Sequence, residues 1–211
     1  MLTLYWSPRA ASEAAMAALN EVGAEYRAEK IDMKAGEHKS PEYIKINPNG
    51  LVPALKLGDG RVMFETAAMV LYLADRYPDA GLAPAGDDPD RAHYYQWLLF
   101  LADTIQAAYK RYYWPHRFIT DEGDLENMKP RIREQTVHDL LGHWAIVEEN
   151  LAGRQWMLGD DFSAADIYML MLAHWFRPVD DLFARCPNVA RVAENTAVRP
   201  AVRKAREMHE R

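Results

Sequence analysis

Cysteine is almost absent from this sequence, because Cys186 is the only one among 211 residues. A single cysteine excludes an intrachain disulfide. Its neighbours, Arg185 and Pro187, provide no histidine or carboxylate that would activate a thiol for nucleophilic chemistry. We therefore expect Cys186 to be chemically inert.

Long apolar segments are also missing. No apolar run approaches the roughly 20 residues that a helix needs to cross a bilayer. Met1 leads directly into the strand-like residues LTLYW, without the charged region and cleavage site that mark a secretory signal. These absences predict a cytoplasmic protein that does not associate with membranes.

The sequence has no excess of basic residues, since 25 lysines and arginines stand against 31 aspartates and glutamates. Such a chain has no basic field with which to hold a phosphate backbone, so nucleic acid is not an expected partner. The sequence contains no GxGxxG pattern and no phosphate loop, and His138 and His143 lie outside any HExxH pattern. We therefore expect neither a nucleotide nor a metal.

The first eighty residues alternate between strand and helix patterns, and 49% of the whole chain is apolar, which is enough for a core. Gly23 is the expected stop of the first helix, and Gly58-Asp59-Gly60 is a hairpin signal. Thr66 is expected to cap the third helix. The predicted strands are 2–6, 26–31, 54–57 and 61–64, and the predicted helices run from Ser12 to Val22, from Ser40 to Asn47 and from Thr66 to Tyr77.

From residue 79 onward the composition changes. Residues 79–89 are rich in glycine, proline and aspartate, as linkers often are. Only helical patterns follow. The sequence therefore predicts an α/β domain with a mixed four-stranded sheet at 1–78, a linker at 79–89 and an all-helical domain at 90–211. The predicted helical segments of the second domain are 90–113, 125–151, 163–175, 189–196 and 201–210. Ser163 and Asp166 form a capping-box pattern at the start of the third of these segments, with a structural role.

The segment NPNGLVPAL, residues 47–55, places a proline just before a predicted strand. Proline is awkward inside a central strand, and a cis bond between Val52 and Pro53 would turn the chain there. The Val52 backbone would then stay unpaired and available to an extended peptide. An ordinary trans turn is the alternative.

Glu65 and Thr66 stand where a strand gives way to a helix. Free amides at a helix N-terminus bind anions, and a neighbouring carboxylate can hold an ammonium group. The pair therefore suits a ligand that carries both charges on one carbon. Helix capping by Thr66 without any ligand is the alternative.

Four segments together resemble the soluble glutathione transferase family, in its bacterial form. They are WSPRAAS, NPNGLVPAL, FETAAMVLYLADRYP and LGDDFSAADIYMLM, in that order and at family-like spacing over nearly the whole chain. The resemblance implies a thioredoxin-like domain that binds glutathione as co-substrate, and a helical domain that shapes the site of a small electrophile. It also implies a homodimer.

The same resemblance assigns the glutathione contacts. Pro53 is expected to be cis, and the Val52 backbone is expected to pair with the cysteinyl part of glutathione. Glu65 and Thr66 are expected to hold the γ-glutamyl group. Weaker candidates for the glycyl carboxylate are Lys34 and Asn49.

The sequence offers several candidates for the group that activates the sulfur. Relatives with serine or cysteine immediately before a proline after the first strand indicate Ser7, whose hydroxyl would donate to a thiolate. Beta-type relatives that read S-P-x-A-C-S place their cysteine at Ala11, so the cysteine mechanism is absent here. The alternatives are Tyr5, which lies within the strand, Ser12, which is expected to cap the first helix, and the amides of Ala10 and Ala11.

The segment YKRYYWPHRF, residues 109–118, has an unusual density of aromatic and cationic residues. We expect Tyr112, Tyr113 and Trp114 to form walls of an apolar pocket, together with Tyr5. Arg111 or His116 would bind an anionic co-substrate. A core or dimer-contact stripe with solvated charges is the alternative.

The expected activity is conjugation of glutathione to a small hydrophobic electrophile. Two alternatives use the same fold: glutathione-dependent isomerisation or dehalogenation, and a non-catalytic binding or regulatory protein. The predicted helix from Asp90 is apolar around much of its surface, which favours a homodimer because one helix cannot hide all of these residues in its own domain. Those residues are Tyr94, Tyr95, Trp97, Leu98, Leu99 and Leu101.

Overall fold

A computed structural model describes residues 1–120 and 124–210. Its sheet has the strand order β2-β1-β3-β4, with β1 parallel to β2 and antiparallel to β3, and β3 antiparallel to β4. The predicted mixed four-stranded sheet is confirmed. The strands are β1 (Leu2–Trp6), β2 (Tyr26–Lys30), β3 (Ala54–Lys56) and β4 (Val62–Met63).

Three helices accompany the sheet: α1 (Ser12–Glu21), α2 (Pro41–Ile44) and α3 (Thr66–Arg76). The central part of α1, residues 14–19, is fully buried. Its small alanine side chains let neighbouring elements approach closely, and α3 packs against it together with two helices of the second domain, Ala164–Ala173 and Pro200–Glu210. Gly23 has φ +65°, which is the left-handed conformation that the sequence predicts after this helix. Short 3₁₀ helices lie at Glu37–Lys39 and Pro78–Ala80.

The remaining described elements are helical, in agreement with the predicted fold class. The predicted helix at 90–113 is continuous, but its centre, Phe100–Gln106, has π-helical geometry. The sequence also gave no sign of α8, a short helix that follows Pro178. The elements are α4 (Arg91–Leu99), α5 (Ala107–Tyr113), a 3₁₀ helix (Pro115–Phe118), α6 (Leu125–Asn150), α7 (Ala164–Ala173), α8 (Val179–Arg185), α9 (Pro187–Ala197) and α10 (Pro200–Glu210).

Two of the predicted helix caps are wrong. Glu65, not Thr66, precedes α3 as its N-cap, and Thr66 is the first helical residue. Ala11, not Ser12, occupies the N-cap of α1, and the Ser12 hydroxyl bonds to the Ser7 backbone instead. In both cases the chain enters the helix one residue earlier than the side-chain pattern suggests.

The predicted capping box of α7 is confirmed. The Ser163 hydroxyl accepts from the Ala165 amide, while the Asp166 carboxylate accepts from the Ser163 amide at 2.8 Å. The other carboxylate oxygen accepts from the Met157 amide, also at 2.8 Å. This fully buried carboxylate therefore fixes both the start of α7 and the preceding loop.

Cys186 is buried, and burial, with the nearby Glu148 carboxylate, raises the pKa of its thiol to about 11. The thiol is therefore protonated near neutral pH, as expected for an inert cysteine. None of the helices in the described ranges is long and apolar enough to cross a membrane.

Candidate active site

Three predicted site segments meet at one edge of the sheet. The pairing of β1 with β3 ends at Tyr5 and Ala54, so Ser7 and Val52 each lie two residues beyond this end of the pairing. The pairing of β3 with β4 ends at Leu55 and Met63, so Pro53 and Glu65 each lie two residues beyond it at the same edge. The end of β1, the start of β3 and the end of β4 are therefore at one edge of the sheet.

Ser7 lies in a tightly held loop after β1. Its amide donates to the Ser12 hydroxyl at 3.3 Å, and that hydroxyl donates back to the Ser7 carbonyl at 3.2 Å. Arg9 has φ +56°, which gives the loop its sharp turn. Ser7 is only 5% exposed, yet its own hydroxyl forms no hydrogen bond with any described residue. That hydroxyl is free to donate to a ligand.

The Val52-Pro53 bond is cis, as predicted. Neither the Val52 amide nor its carbonyl hydrogen bonds to another residue within the described ranges. The preceding carbonyl, of Leu51, is held by the Tyr43 hydroxyl at 2.8 Å and by the Asn47 side-chain amide at 2.7 Å. The loop is therefore rigid, while the Val52 backbone remains available for pairing.

Glu65 has φ +72°, an uncommon conformation for a residue other than glycine. Such outliers cluster at functional sites, where the surrounding structure maintains them. Thr66 is 3% exposed, and its hydroxyl forms no hydrogen bond with the residues that the structure describes. The turn thus places an exposed carboxylate beside the free amides at the start of the 11-residue helix α3.

The π-helical segment packs against α7, which also packs against α3. Burial raises the pKa of Tyr168, on α7, and the carboxylates of Glu65 and Asp103 act in the same direction. The Tyr168 hydroxyl donates to the Gln106 side-chain carbonyl of the π-helical segment. Asp103, Gln106 and Tyr168 were not predicted from the sequence.

The candidates for the glycyl carboxylate are only partly brought together. The amide of Lys34 is held by the Asp32 carboxylate, and its side chain is exposed. The ammonium group at the Asn49 loop instead belongs to Lys39, which donates to the Gly50 carbonyl at 2.8 Å and to the Asn49 carbonyl at 3.3 Å. Lys39 was missed because its sequence context, EHKS, is that of an ordinary solvated lysine.

The second domain contributes an aromatic cluster. Tyr112, Tyr113 and Trp114 contact one another in sequence, and the Tyr113 hydroxyl donates to the Trp175 carbonyl. Tyr113 and Trp114 remain exposed. Tyr5 instead packs edge-on against Tyr43, with ring centroids 6.1 Å apart. Tyr112, Tyr113 and Trp114 therefore form one aromatic cluster in the second domain, while Tyr5 packs within the first domain.

The cations near this cluster are arranged differently from the prediction. Arg111 points to Asp139 of α6, at 3.9 Å, and His116 is exposed. Arg117 stacks over the Trp114 ring at 5.1 Å. Burial lowers the pKa of His38, and the cations of Lys39 and Arg117 lower it further. Arg117 is thus the cation of this segment whose charge acts on a group of the first domain.

A cavity of about 310 Å³ lies away from these residues, between the start of α4 and the end of α6. None of the residues that line it belongs to the site described above. Its lining residues are Asp90, His93, Gln96, Trp97, Asn150, Arg154 and Leu158.

Comparison with known proteins covers both domains. Residues 9–76 match the family described as the glutathione S-transferase N-terminal domain, and residues 130–195 match the corresponding C-terminal domain. The chain is 29% identical to the glutathione S-transferase GstA of Escherichia coli O157:H7 over 205 residues, covering 97% of this chain and 96% of that protein.

Solved structures of glutathione transferases share this fold over nearly the whole chain. A sphingomonad glutathione S-transferase in complex with glutathione is 32% identical, with a TM-score of 0.84, covering 99% of this chain and 98% of that one. A glutathione transferase homologue from Sulfitobacter, with bound glutathione, is 28% identical, with a TM-score of 0.87 and the same coverage.

Proposed function

The chain belongs to the glutathione S-transferase family, and we propose that it conjugates glutathione to a small hydrophobic electrophile at the sheet edge formed by Ser7, Val52 and Glu65. The observation that carries this proposal is the unpaired Val52 backbone, which lies at the same edge of the sheet as the Ser7 loop. An extended peptide that pairs with Val52 would have its thiol near Ser7.

The rest of glutathione fits the surrounding groups by charge. The γ-glutamyl end carries an ammonium and a carboxylate, which suit the Glu65 carboxylate and the amides at the start of α3. The glycyl carboxylate suits the cation of Lys39 beside Asn49, with Lys34 further out. The cis bond to Pro53 fixes the conformation of the Val52 backbone. Each of these contacts is part of the proposal.

Activation of the thiol requires preferential stabilisation of the thiolate. A free thiol has a pKa of about 8.5, and lowering it by two units requires about 2.7 kcal/mol. One hydrogen bond to a charged group contributes about 1.5–3 kcal/mol. The Ser7 hydroxyl therefore suffices, with the Ala10 and Ala11 amides near the start of α1 as the remaining local donors.

The electrophile is proposed to lie against Tyr112, Tyr113 and Trp114. The exposed faces of Tyr113 and Trp114 offer apolar area on the domain opposite the sheet edge. Arg117, which stacks over Trp114, is proposed to bind an anionic co-substrate together with the exposed His116, while Arg111 faces Asp139.

A product assay tests this function. Purified protein is incubated with glutathione and a chlorodinitrobenzene, and the products are identified by mass spectrometry. A thioether, with release of chloride, is the expected result. Retention on immobilised glutathione without turnover on a broad panel of electrophiles would instead indicate a binding protein, and a product isomeric with its substrate would indicate an isomerase.

We also propose that the protein is a two-fold homodimer that acts in the cytoplasm, where glutathione is kept reduced. Tyr95 and Leu99 on α4 are exposed, as are Leu51 and Phe64 in the first domain. Large apolar side chains on both domains are suited to an isologous contact in which the first domain of each copy meets the second domain of the other.

A further inference from the structure

Helix α10 packs along α1 and reaches the loop that holds Ser7. Near the start of α10, the Arg199 guanidinium donates to both oxygens of Glu21, at 2.8 and 2.9 Å. Near its end, Arg206 approaches Glu13 at 3.9 Å. Since Glu21 ends α1 and Glu13 lies in its first turn, the two ion pairs bracket the same helix–helix contact.

The first turn of α1 is joined directly to the Ser7 loop. Ser12, which precedes Glu13, is fully buried and hydrogen bonds to both the amide and the carbonyl of Ser7. The Glu13 amide also donates to the Ala10 carbonyl at 3.1 Å. A displacement of this turn would therefore move the Ser7 backbone with it.

A second contact reaches the loop from β1. Trp6, immediately before Ser7, packs against the ring of His209 of α10, with centroids 5.1 Å apart. His209 is 2% exposed, and neither of its ring nitrogens has a hydrogen-bond partner in the described ranges. Within the described ranges this ring is therefore held by packing, including its contact with Trp6, and not by hydrogen bonds.

The charged groups around this contact are few. Burial raises the pKa of Glu13; the Arg206 cation opposes this shift, and the Glu210 carboxylate adds to it. Val52, Glu65 and Thr66 lie on other elements, and α10 makes its main helix contact with α1. Helix α10 therefore supports the Ser7 loop and does not support Val52, Glu65 or Thr66, where the peptide is proposed to bind.

We propose that Arg206 and His209 are positioning residues, through which α10 fixes the Ser7 hydroxyl relative to the glutathione sulfur. Arg206 acts through Glu13 and Ser12, and His209 acts through Trp6. The inference rests on the proposed role of Ser7. It requires that loss of either contact lower kcat and leave the KM for glutathione nearly unchanged.

The test compares variants at the two ends of the same contact. Arg206→Met and His209→Ala should each lower kcat by about tenfold, since small displacements of a catalytic group far from the mutation have effects of this order or larger. The rising limb of the pH-rate profile should move to higher pH. Arg199→Met is the matched control: it removes the closer ion pair, so it should lower thermal stability at least as much as Arg206→Met, and kcat should remain within about twofold.

Two further variants separate positioning from stability. His209→Phe keeps a ring against Trp6 and should retain most of the wild-type kcat. In a Ser7→Ala background, Arg206→Met should cause no further loss, because two residues that act through one group are not additive. Circular dichroism and denaturation curves establish that each variant is folded at the assay temperature.

The outcomes are distinguishable from failure of the proposed function. An inactive wild-type protein, or a Ser7→Ala variant with unchanged rate and profile, would contradict the role of Ser7 itself. If Ser7→Ala is impaired while Arg206→Met and His209→Ala behave like Arg199→Met, α10 contributes stability only, and the positioning inference is wrong. A full additional loss from Arg206→Met in the Ser7→Ala background also overturns it.

Discussion

Ser7 combines a backbone fixed by Ser12 with a hydroxyl that no described residue engages. Ser7→Ala should therefore leave glutathione affinity nearly intact and lower kcat by roughly 10- to 100-fold, the value of one hydrogen bond to a charged group. The bound thiol should have a higher pKa, so the rising limb of the pH-rate profile should shift upward and activity should partly return at high pH. An unchanged rate and profile would transfer the role to the amides of Ala10 and Ala11.

Thr66 offers a test of binding separate from chemistry. Thr66→Val should weaken glutathione binding, measured by calorimetry, by about 1–3 kcal/mol, because a charged ligand group loses a hydrogen-bond partner. Stability should change little, since the Thr66 hydroxyl caps no helix. Thr136→Val is the control: its hydroxyl donates to the Ile132 carbonyl within α6, and its loss should not affect glutathione. Equal affinities for Thr66→Val and the wild type would place the γ-glutamyl site elsewhere.

His209 makes stability depend on pH. Burial lowers its pKa from 6.5 to about 4, so the folded protein binds fewer protons than the unfolded chain between these values. The stabilisation due to neutral His209 is complete above about pH 6.5, falls as the pH drops towards 4 and changes no further below that. Chemical denaturation across this range should show a shallower acid loss for His209→Phe than for the wild type. His93→Asn, at an exposed histidine of α4, provides the control.

At the scale of elements, the loop before α7 depends on one carboxylate. Asp166 accepts from the Met157 and Ser163 amides and from the Ser163 hydroxyl, at 2.8, 2.8 and 3.1 Å. Asp166→Ala would leave these buried donors unpaired and should lower the free energy of unfolding by about 2–4 kcal/mol. Ser40→Ala, which removes only the α2 cap, should cost about 1 kcal/mol. If Asp166→Ala and Ser40→Ala lower the free energy of unfolding equally in denaturant titrations, Asp166 contributes no more than an ordinary helix cap.

The elements also show how far the sequence alone can be taken. Hydrophobic period, glycine stops and the Ser163 capping box depend on neighbours in the chain, and they predicted the sheet and most helices. The cis Val52-Pro53 bond was expected from the resemblance to the family, since the residues alone also allowed a trans turn. The start of α3 was misplaced because the backbone of Glu65, at φ +72°, makes the turn and no capping side chain marks it. Lys39 and Arg117 were not predicted because their contacts form only when segments distant in the sequence pack together.

At the scale of the molecule, the exposed apolar residues of α4 predict the assembly. Leu99→Glu, alone or with Tyr95→Glu, should convert a dimer into a monomer in sedimentation experiments, because burying an unpaired charge in an apolar interface is strongly unfavourable. Ile146→Glu is the matched control, since Ile146 is 49% exposed and Leu99 51%. A wild-type protein that sediments only as a monomer at micromolar concentration would contradict the prediction.

The contact between α1 and α10 also has a consequence for how the protein is made. Helix α10 begins at Pro200, about 120 residues after α3 ends, so a ribosome that adds about 5–20 residues per second completes it roughly 6–25 s later. During that interval the nascent first domain has its sheet and α3 but lacks the helix that covers Trp6 and the first turn of α1. We expect the emerging chain to expose Trp6 and the first turn of α1 to chaperones. The Ser7 loop should reach its final position only after α10 has left the ribosome.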